Sequence, residues 1–413
     1  MKKPNFAFQF KLVFVLILAL SFACSRNAKQ EIFEPDSFYI IPFAEIIKNK
    51  RQVKLSEFAT DVAFIQFENT PEALIGGVFD LELTKDYFFI NSGRSPVMQF
   101  SRDGEYIRYI GKKGRGPGEY DLCRTLSIDE KNERIYIQDN ANRSMLVYNF
   151  NGEHIKTIRY PAMERLSNVW SRDSLLVSFQ EPMEGNEPYV FMEHNEPGDT
   201  LQAIANQIFW NNDEQYYNMY LNYLKAFYRF DDKLHMKGWY NDTVYTYDEN
   251  NKIAPKFFID LKEHKLPDDL IYERKWTRML PDNLCWVGVL ETSNYIFIPY
   301  GYHFDIVNMK PTKEEEGCVL YNKNTKEGVA VEEAKQWGFI DDISGGPGFR
   351  PIYANDTLAI MPISAVEIKM YSESNEFKNR EVEFPEKKEK LNQLKKTLKA
   401  EDNHFVMLVK LKE

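Results

Sequence analysis

The sequence has few of the residues that build metal or nucleophile sites. Four cysteines and six histidines are spread along 413 residues, with no short spacing that would make a zinc knuckle or a disulfide framework. There is no G-x-S-x-G elbow, no H-E-x-x-H, no G-x-x-x-x-G-K-[ST] and no EF-hand loop, so nothing marks a serine hydrolase, zincin, P-loop or calcium-sensor site. Positive charge is also short. Fifty-two Lys and Arg face 62 Asp and Glu, for a net charge of −10. An acidic chain lacks the basic face that nucleic acid demands. The one long apolar run, Leu12–Phe22, is too short for an ordinary membrane span.

That run reads as a targeting signal. Lys2, Lys3 and Lys11 precede or flank it, and Cys24 follows the small residue Ala23. The order resembles the bacterial lipoprotein signal, which is cut before a cysteine that is then lipidated. It departs from the usual pattern, because Leu20 stands four before the cysteine and bulky Phe22 two before. The alternative is a plain secretory signal. We expect residues 1–23 to be the signal, Cys24 the lipidation site, and 24–54 a tether and lead-in. Loss of three lysines and no acid would take the charge from −10 to −13. No acidic patch follows Cys24 (Ser25, Arg26, Asn27, Ala28, Lys29), which favours a lipid anchor in the outer membrane facing the periplasm over surface display. Of the remaining cysteines, Cys123 and Cys285 lie in apolar surroundings and read as small core residues. A pair among Cys123, Cys285 and Cys318 stays open in an oxidising compartment.

What is present is β-structure. VMQF–SRDGE–YIRYIG and MLVYNF–NGE–HIKTIRY repeat the order strand, Asp-Gly or Asn-Gly turn, strand, the second copy about 47 residues after the first. A four-strand unit of roughly 40–50 residues is the blade of a β-propeller. Blades are expected within 76–111, 123–160, 166–206, 226–261 and 286–334, with a probable-helix pattern at DDLIYERKW before the fifth. A sixth starts at 349–364. It breaks off into a charged, helix-patterned insertion over about 365–402, where Leu391, Leu394 and Leu398 share one face. That insertion is expected to pack on the rim, a partner-binding helix being the other reading. The strand at 404–412 then needs a partner, and TDVAFIQFE at 60–68 is unclaimed. The fold class is therefore all-β: a six-bladed propeller over 55–413, closed by an N-terminal strand.

The run IRYIGKKGRGPGEY (107–120) resembles NHL-repeat propellers, and more closely the six-bladed β-propeller lipoproteins of gut anaerobes. LSEFATDVAFIQFENTPEALIGGVFDLEL (55–83), YNDTVYTYD (240–248) and DNHFVMLVKLK (402–412) carry the same resemblance. It implies a six-blade fold and an exported lipoprotein, and no particular activity.

Candidate chemistry lies in the loops of one face. The glycines of GKKGRGPGEY suit a blade-to-blade crossover better than a phosphate loop, since no helix follows. Some NHL-type propellers hold a lyase zinc through axial histidines. Here only His303 is expected near the axis, too few for catalytic zinc, so no metal and no cofactor is expected. The ligand-binding candidates are Arg94, Arg115, Arg143, Tyr240, Tyr300, His303, Trp337 and Arg350. Guanidinium groups grip oxyanions bidentately and flat aromatics stack. Bracing of neighbouring blades is the other role for Arg143, and capping of a turn the role for Asp341 and Asp342.

Two functions remain. The first is a non-catalytic binding module for an anionic or aromatic-stackable ligand, glycan, peptide or protein partner. The second is a lyase or hydrolase on glycan or peptide fragments. An enzyme should bury two or more titratable groups with shifted pKa around the channel.

Overall fold

A computed structural model describes residues 38–159, 168–180, 186–207, 209, 225–238, 241–265, 283–302, 304–305, 310–311, 316–331 and 338–412. The signal segment, Cys24, Trp239, Tyr240, the helix pattern at 268–276, His303 and Trp337 lie outside the described residues. No described helix is long and apolar enough to cross a membrane.

Six antiparallel sheets form the ring. Their innermost strands are Asp80–Leu83, Thr125–Asp129, Asn168–Arg172, Phe227–Phe230, Leu284–Val287 with Leu290–Glu291, and Tyr353–Ala354. Each is followed outward by three more strands, ending for blade one at Ile110, blade two at Ile158, blade three at Ala205, blade four at Ile259 and blade five at Val331. Middle strands such as Arg134–Asp139 and Ser144–Asn149 are buried on both faces, because each blade packs between two others. This explains their apolar runs without alternation. Six apolar clusters fill the gaps between successive blades.

The turn chemistry is as the dipeptides predict. Gly104 of Arg-Asp-Gly has φ +89°, and a Cβ there would stand 2.1 Å from the Gln66 carbonyl oxygen. Only glycine fits.

Blade six has two distant parts. Ala59–Gln66 pairs antiparallel with Phe405–Leu411 from Ala59↔Leu411 to Gln66↔Phe405. The ring thus closes as the unclaimed strand predicted. Residues 39–54 join the ring as well. Tyr39–Ile41 adds a parallel fifth strand to blade four and Lys50–Arg51 one to blade five, covering edges that would otherwise be open. Between them helix α1 (Phe43–Ile46) buries Phe43, Ala44 and Ile46.

The insertion forms three helices between the second and third strands of blade six: α2 (Ala365–Glu373), α3 (Asn375–Asn379) and α4 (Pro385–Thr397). Ser364 and Glu367 make a reciprocal cap on α2. Leu391 and Leu398 are buried, with Leu398 in the core between blades five and six and Leu394 packed against it. The rim position expected for the insertion needs correction. α2 and α3 line the axial cavity through Glu367, Met370, Tyr371 and Glu376 and so reach the mouth of the ring.

Candidate functional site

The inner strands enclose a cavity of about 1700 Å³ on the axis. All six blades contribute, mostly through residues at or just before the start of an inner strand, so the cavity opens on the face that carries the blade-to-blade crossovers. The lining includes residues two apart on the inner strands and their approaches, Asp80 and Glu82, Cys123 and Thr125, Asn168 and Trp170, and Lys225, Phe227 and Arg229.

The wall holds a charged constellation. Lys225, from the approach to blade four, reaches across to blade one. Its Nζ lies 2.6 Å from Asp80 Oδ1 and 2.7 Å from Glu82 Oε1, and donates to the Leu81 carbonyl at 3.3 Å. Burial pushes the Glu82 carboxyl up, to about 7, against the pull of Lys225. Burial opposes the Lys225 charge too, but Asp80 and Glu82 outweigh it and hold the ammonium above the usual lysine range. Arg229 donates to the Ser171 carbonyl at 2.7 Å, and the Tyr353 hydroxyl to the Leu83 carbonyl at 3.3 Å. Burial raises Tyr353 above the ordinary tyrosine pKa.

The rim is apolar. Phe79 is 65 % exposed and Met370 of α2 68 % exposed, and Leu122 and Ile352 are exposed as well. All four line the cavity. They come from blades one, two and six and the helical insertion, which are neighbours in the ring.

Arg350 stands among them. It is half-buried and lines the cavity, and its guanidinium has no ion pair or hydrogen bond with a described residue. Only its backbone amide is engaged, on Met361 Sδ at 3.0 Å.

The other sequence candidates are placed differently. Arg94, Arg115 and Arg143 are exposed and outside the cavity lining. Arg115 rides on the crossover, where Lys112–Lys113 pairs with Glu119–Tyr120. Buried Tyr120 pins that loop, accepting from the Val97 amide at 2.7 Å and donating to the Ile110 carbonyl at 2.8 Å. Gly118 has φ +70° there, as a crossover requires. Arg143 has φ +51° in a turn organised by buried Asp139, which accepts from the Ala141 amide and from Asn142. Tyr300 is corrected outright: it is not in a mouth loop. It is 2 % exposed inside the strand Tyr295–Tyr302 and meets Phe43 edge-on at 5.4 Å. The strand continues through Pro299 because Gly301 and Tyr300 pair with Glu316 and Gly317 on one side and with Trp286 and Val287 on the other. Asp341 caps its turn, accepting from the Ile343, Ser344 and Gly346 amides. Asp342 accepts from the Ser56 amide and hydroxyl.

Cys123 and Cys318 are buried and unpaired, and burial raises both thiols above the usual range. No group of three His, Cys, Asp or Glu able to hold a metal occurs among the described residues.

A second charge cluster lies at the far end of the inner strands, between blades four and five. Buried Glu291 accepts from Tyr228 and from Lys256 and Lys323, each at 2.9 Å. His235 accepts from Lys256 at 2.9 Å. Burial, then Lys256 and Lys323, drives the His235 pKa well below its ordinary value.

The axial constellation was missed from sequence, although a signal exists. FDLEL places charges two apart and LKAFYRF four apart within otherwise apolar runs, an even spacing by which an inner strand presents charge to an axial channel.

Six blades around an axial cavity with a charged wall and an apolar lip define a six-bladed β-propeller. The chain belongs to the family described as Domain of unknown function (DUF4934), whose model matches residues 38–410. No curated protein matches it. Among solved structures it is similar to a Bacteroides fragilis protein described as exported, at 18% identity and a TM-score of 0.66, covering 91% of this chain and 100% of that one. A duf4221 family member from Bacteroides vulgatus gives 14% identity and a TM-score of 0.44, covering 66% of this chain and 84% of that one.

Proposed function

We propose that this propeller is an exported binding module, anchored through lipid on Cys24 to the outer membrane facing the periplasm, which takes an anionic ligand at its axial mouth. Arg350 carries the reading. A guanidinium without a partner among the described residues, beside exposed Phe79, Ile352 and Met370, suits a carboxylate, phosphate or sulfate joined to an apolar or stackable group. A glycan, a peptide or a partner protein's loop can each present that combination. The basic–apolar–Cys order of residues 1–24 supports export, as does the exported B. fragilis neighbour. The NHL-like GKKGRGPGEY crossover belongs to the same reading.

The test is a thermal-shift screen of the mature chain against anionic glycans, peptides and partner fragments, since a ligand of the native state raises the melting temperature. Hits should lose their shift in Arg350→Ala. Hits that survive both Arg350→Ala and Trp170→Ala would place the site elsewhere.

Glu82 favours a second reading. The channel does bury titratable groups with shifted pKa, namely Glu82, Lys225 and Tyr353. A carboxyl whose pKa burial pushes up is suited to general acid work on a glycan or peptide fragment. Turnover of such a fragment by wild type, abolished in Glu82→Gln, would establish the enzyme. The binding module is preferred because Glu82 is committed to Lys225, whereas the Arg350 guanidinium has no partner among the described residues.

A further inference from the structure

The bond from Lys225 to blade one is unlike the other contacts between blades. Blades four and one stand opposite each other in a ring of six. Neighbouring blades are already held by apolar clusters, so a cross-axis lysine is not needed to join them. What it meets on the far wall is a complete set of partners for an ammonium. Two carboxylates and a carbonyl converge on one nitrogen at 2.6, 2.7 and 3.3 Å: Glu82 and the Leu81 carbonyl accept hydrogen bonds and Asp80 adds an ion pair. The faces of Trp170 and Tyr353 lie 5.9 and 5.8 Å from the same nitrogen, within cation–π range. Asp80 and Glu82 lie on the fixed inner strand of blade one, and their side chains are 12% and 6% exposed. The Lys225 side chain keeps 30% of its surface open to the cavity. The acceptors are therefore built into the wall, while the cation is a guest on a flexible stem.

We propose that Asp80, Glu82 and the Leu81 carbonyl form an ammonium subsite of the axial cavity, that Lys225 occupies it as a tethered plug, and that a ligand's primary amine enters by displacing Lys225. This deepens the reading of the axial cavity as the binding site and rests on it. With Arg350 at the mouth, the ligand class is one that carries a primary amine and, separately, an anionic group, as a lysine-containing peptide does. Lys225 then sets a threshold. The apparent affinity for an amine is reduced by the fraction of molecules in which the plug is seated.

The experiment uses the mature chain as wild type, Lys225→Ala, and Lys225→Ala with Glu82→Gln. The probes are n-propylammonium, which replaces the missing side chain, and n-propanol as its neutral counterpart. Propylammonium should raise the melting temperature of Lys225→Ala saturably and bind it at least about tenfold more tightly than wild type, where the plug competes. Propanol should do neither, and Glu82→Gln should cancel the gain. If Lys225→Ala does not fold alone, recovery of soluble protein on refolding with propylammonium, against propanol, gives the same reading. Equal effects of amine and alcohol, or equal amine affinity in wild type and variant, would overturn the proposal. If anionic hits still depend on Arg350 in that case, the subsite falls and the cavity reading stands. If neither holds, both fall.

Discussion

The Asn403 side-chain oxygen accepts the Ile75 amide at 2.8 Å, joining residues 328 positions apart in sequence. The same side chain donates to the carbonyls of Glu68 and Ala73, both at 2.6 Å. Asn403 is buried directly before the closing strand Phe405–Leu411, so one carboxamide ties the last strand of the ring to the passage from blade six into blade one. Asn403→Ala strands two buried backbone groups, the Ile75 amide and the Ala73 carbonyl, and the part-buried Glu68 carbonyl. At about 1–3 kcal/mol for a buried group left unpaired, the variant should lose on the order of 3 kcal/mol in urea unfolding. Removing residues 404–413 should go further and abolish the cooperative transition. A soluble truncation that melts as wild type does contradicts this closure.

The fifth strands make the lead-in part of the fold. Phe43 has no exposed surface and packs against Tyr300. Phe43→Ala should cost about 3–5 kcal/mol and leave the edges of blades four and five less protected from association. Denaturant unfolding and light scattering of the same samples check both. A loss below about 1 kcal/mol would mean that the lead-in peels away freely.

How much of this was legible in the sequence depended on length and distance. Gly104 and Gly152 announced their hairpins, because an Asp-Gly or Asn-Gly turn is a local event. The 59–66 strand could be assigned by elimination, as a long apolar segment with no neighbour. The fifth strands could not, since Tyr39–Ile41 and Lys50–Arg51 are three and two residues long, too short to show a period. The cavity charges were out of reach for another reason. Lys225 meets Asp80 only because the ring brings blade four opposite blade one, and no local pattern encodes that meeting. The Gly-Pro-rich crossovers pointed to Arg350 and Arg115 alike, yet only Arg350 lines the cavity, because loop composition does not fix which way a crossover leans. Tyr300 was misplaced because the strand Tyr295–Tyr302 runs on through Pro299 and holds it inside the sheet, short of any loop at the mouth.

Acid should act through His235. Its Nε2 accepts from Lys256 and its Nδ1 lies 3.0 Å from Thr246 Oγ1, so the folded protein holds it neutral. The unfolded chain binds a proton near the ordinary histidine value of about 6.5. This contribution to stability is present above that pH and is lost as pH falls below it. Burial lowers His194 and His404 in the same direction. Glu82, raised in the folded state, works oppositely: what it contributes is lost as pH rises through about 7. Those groups are common to wild type and His235→Gln, so the difference between the two proteins isolates His235. Melting curves from pH 8 to 5 should show the variant gaining on wild type below about 6.5. Parallel curves would refute the assignment.

The exposed arginines give a contrast to Arg350. Arg115→Ala and Arg94→Ala should change stability by less than about 0.5 kcal/mol and leave ligand shifts in the axial cavity intact. Loss of binding in Arg115→Ala with the fold unchanged would extend the site outward onto the crossover.

The pairing of Ala59–Gln66 with Phe405–Leu411 also bears on the order in which the molecule can be made. A chain that emerges from the ribosome, or threads through a membrane pore, with its N-terminus leading presents Ala59–Gln66 early and its partner last. For nearly the whole of that passage the earlier strand has no mate and the circle cannot shut. Blades one to five can each gather locally as they appear, but the axis becomes a walled chamber, with Lys225 laid across it, only after the final strand arrives. The walled chamber is therefore complete only after every blade that lines it.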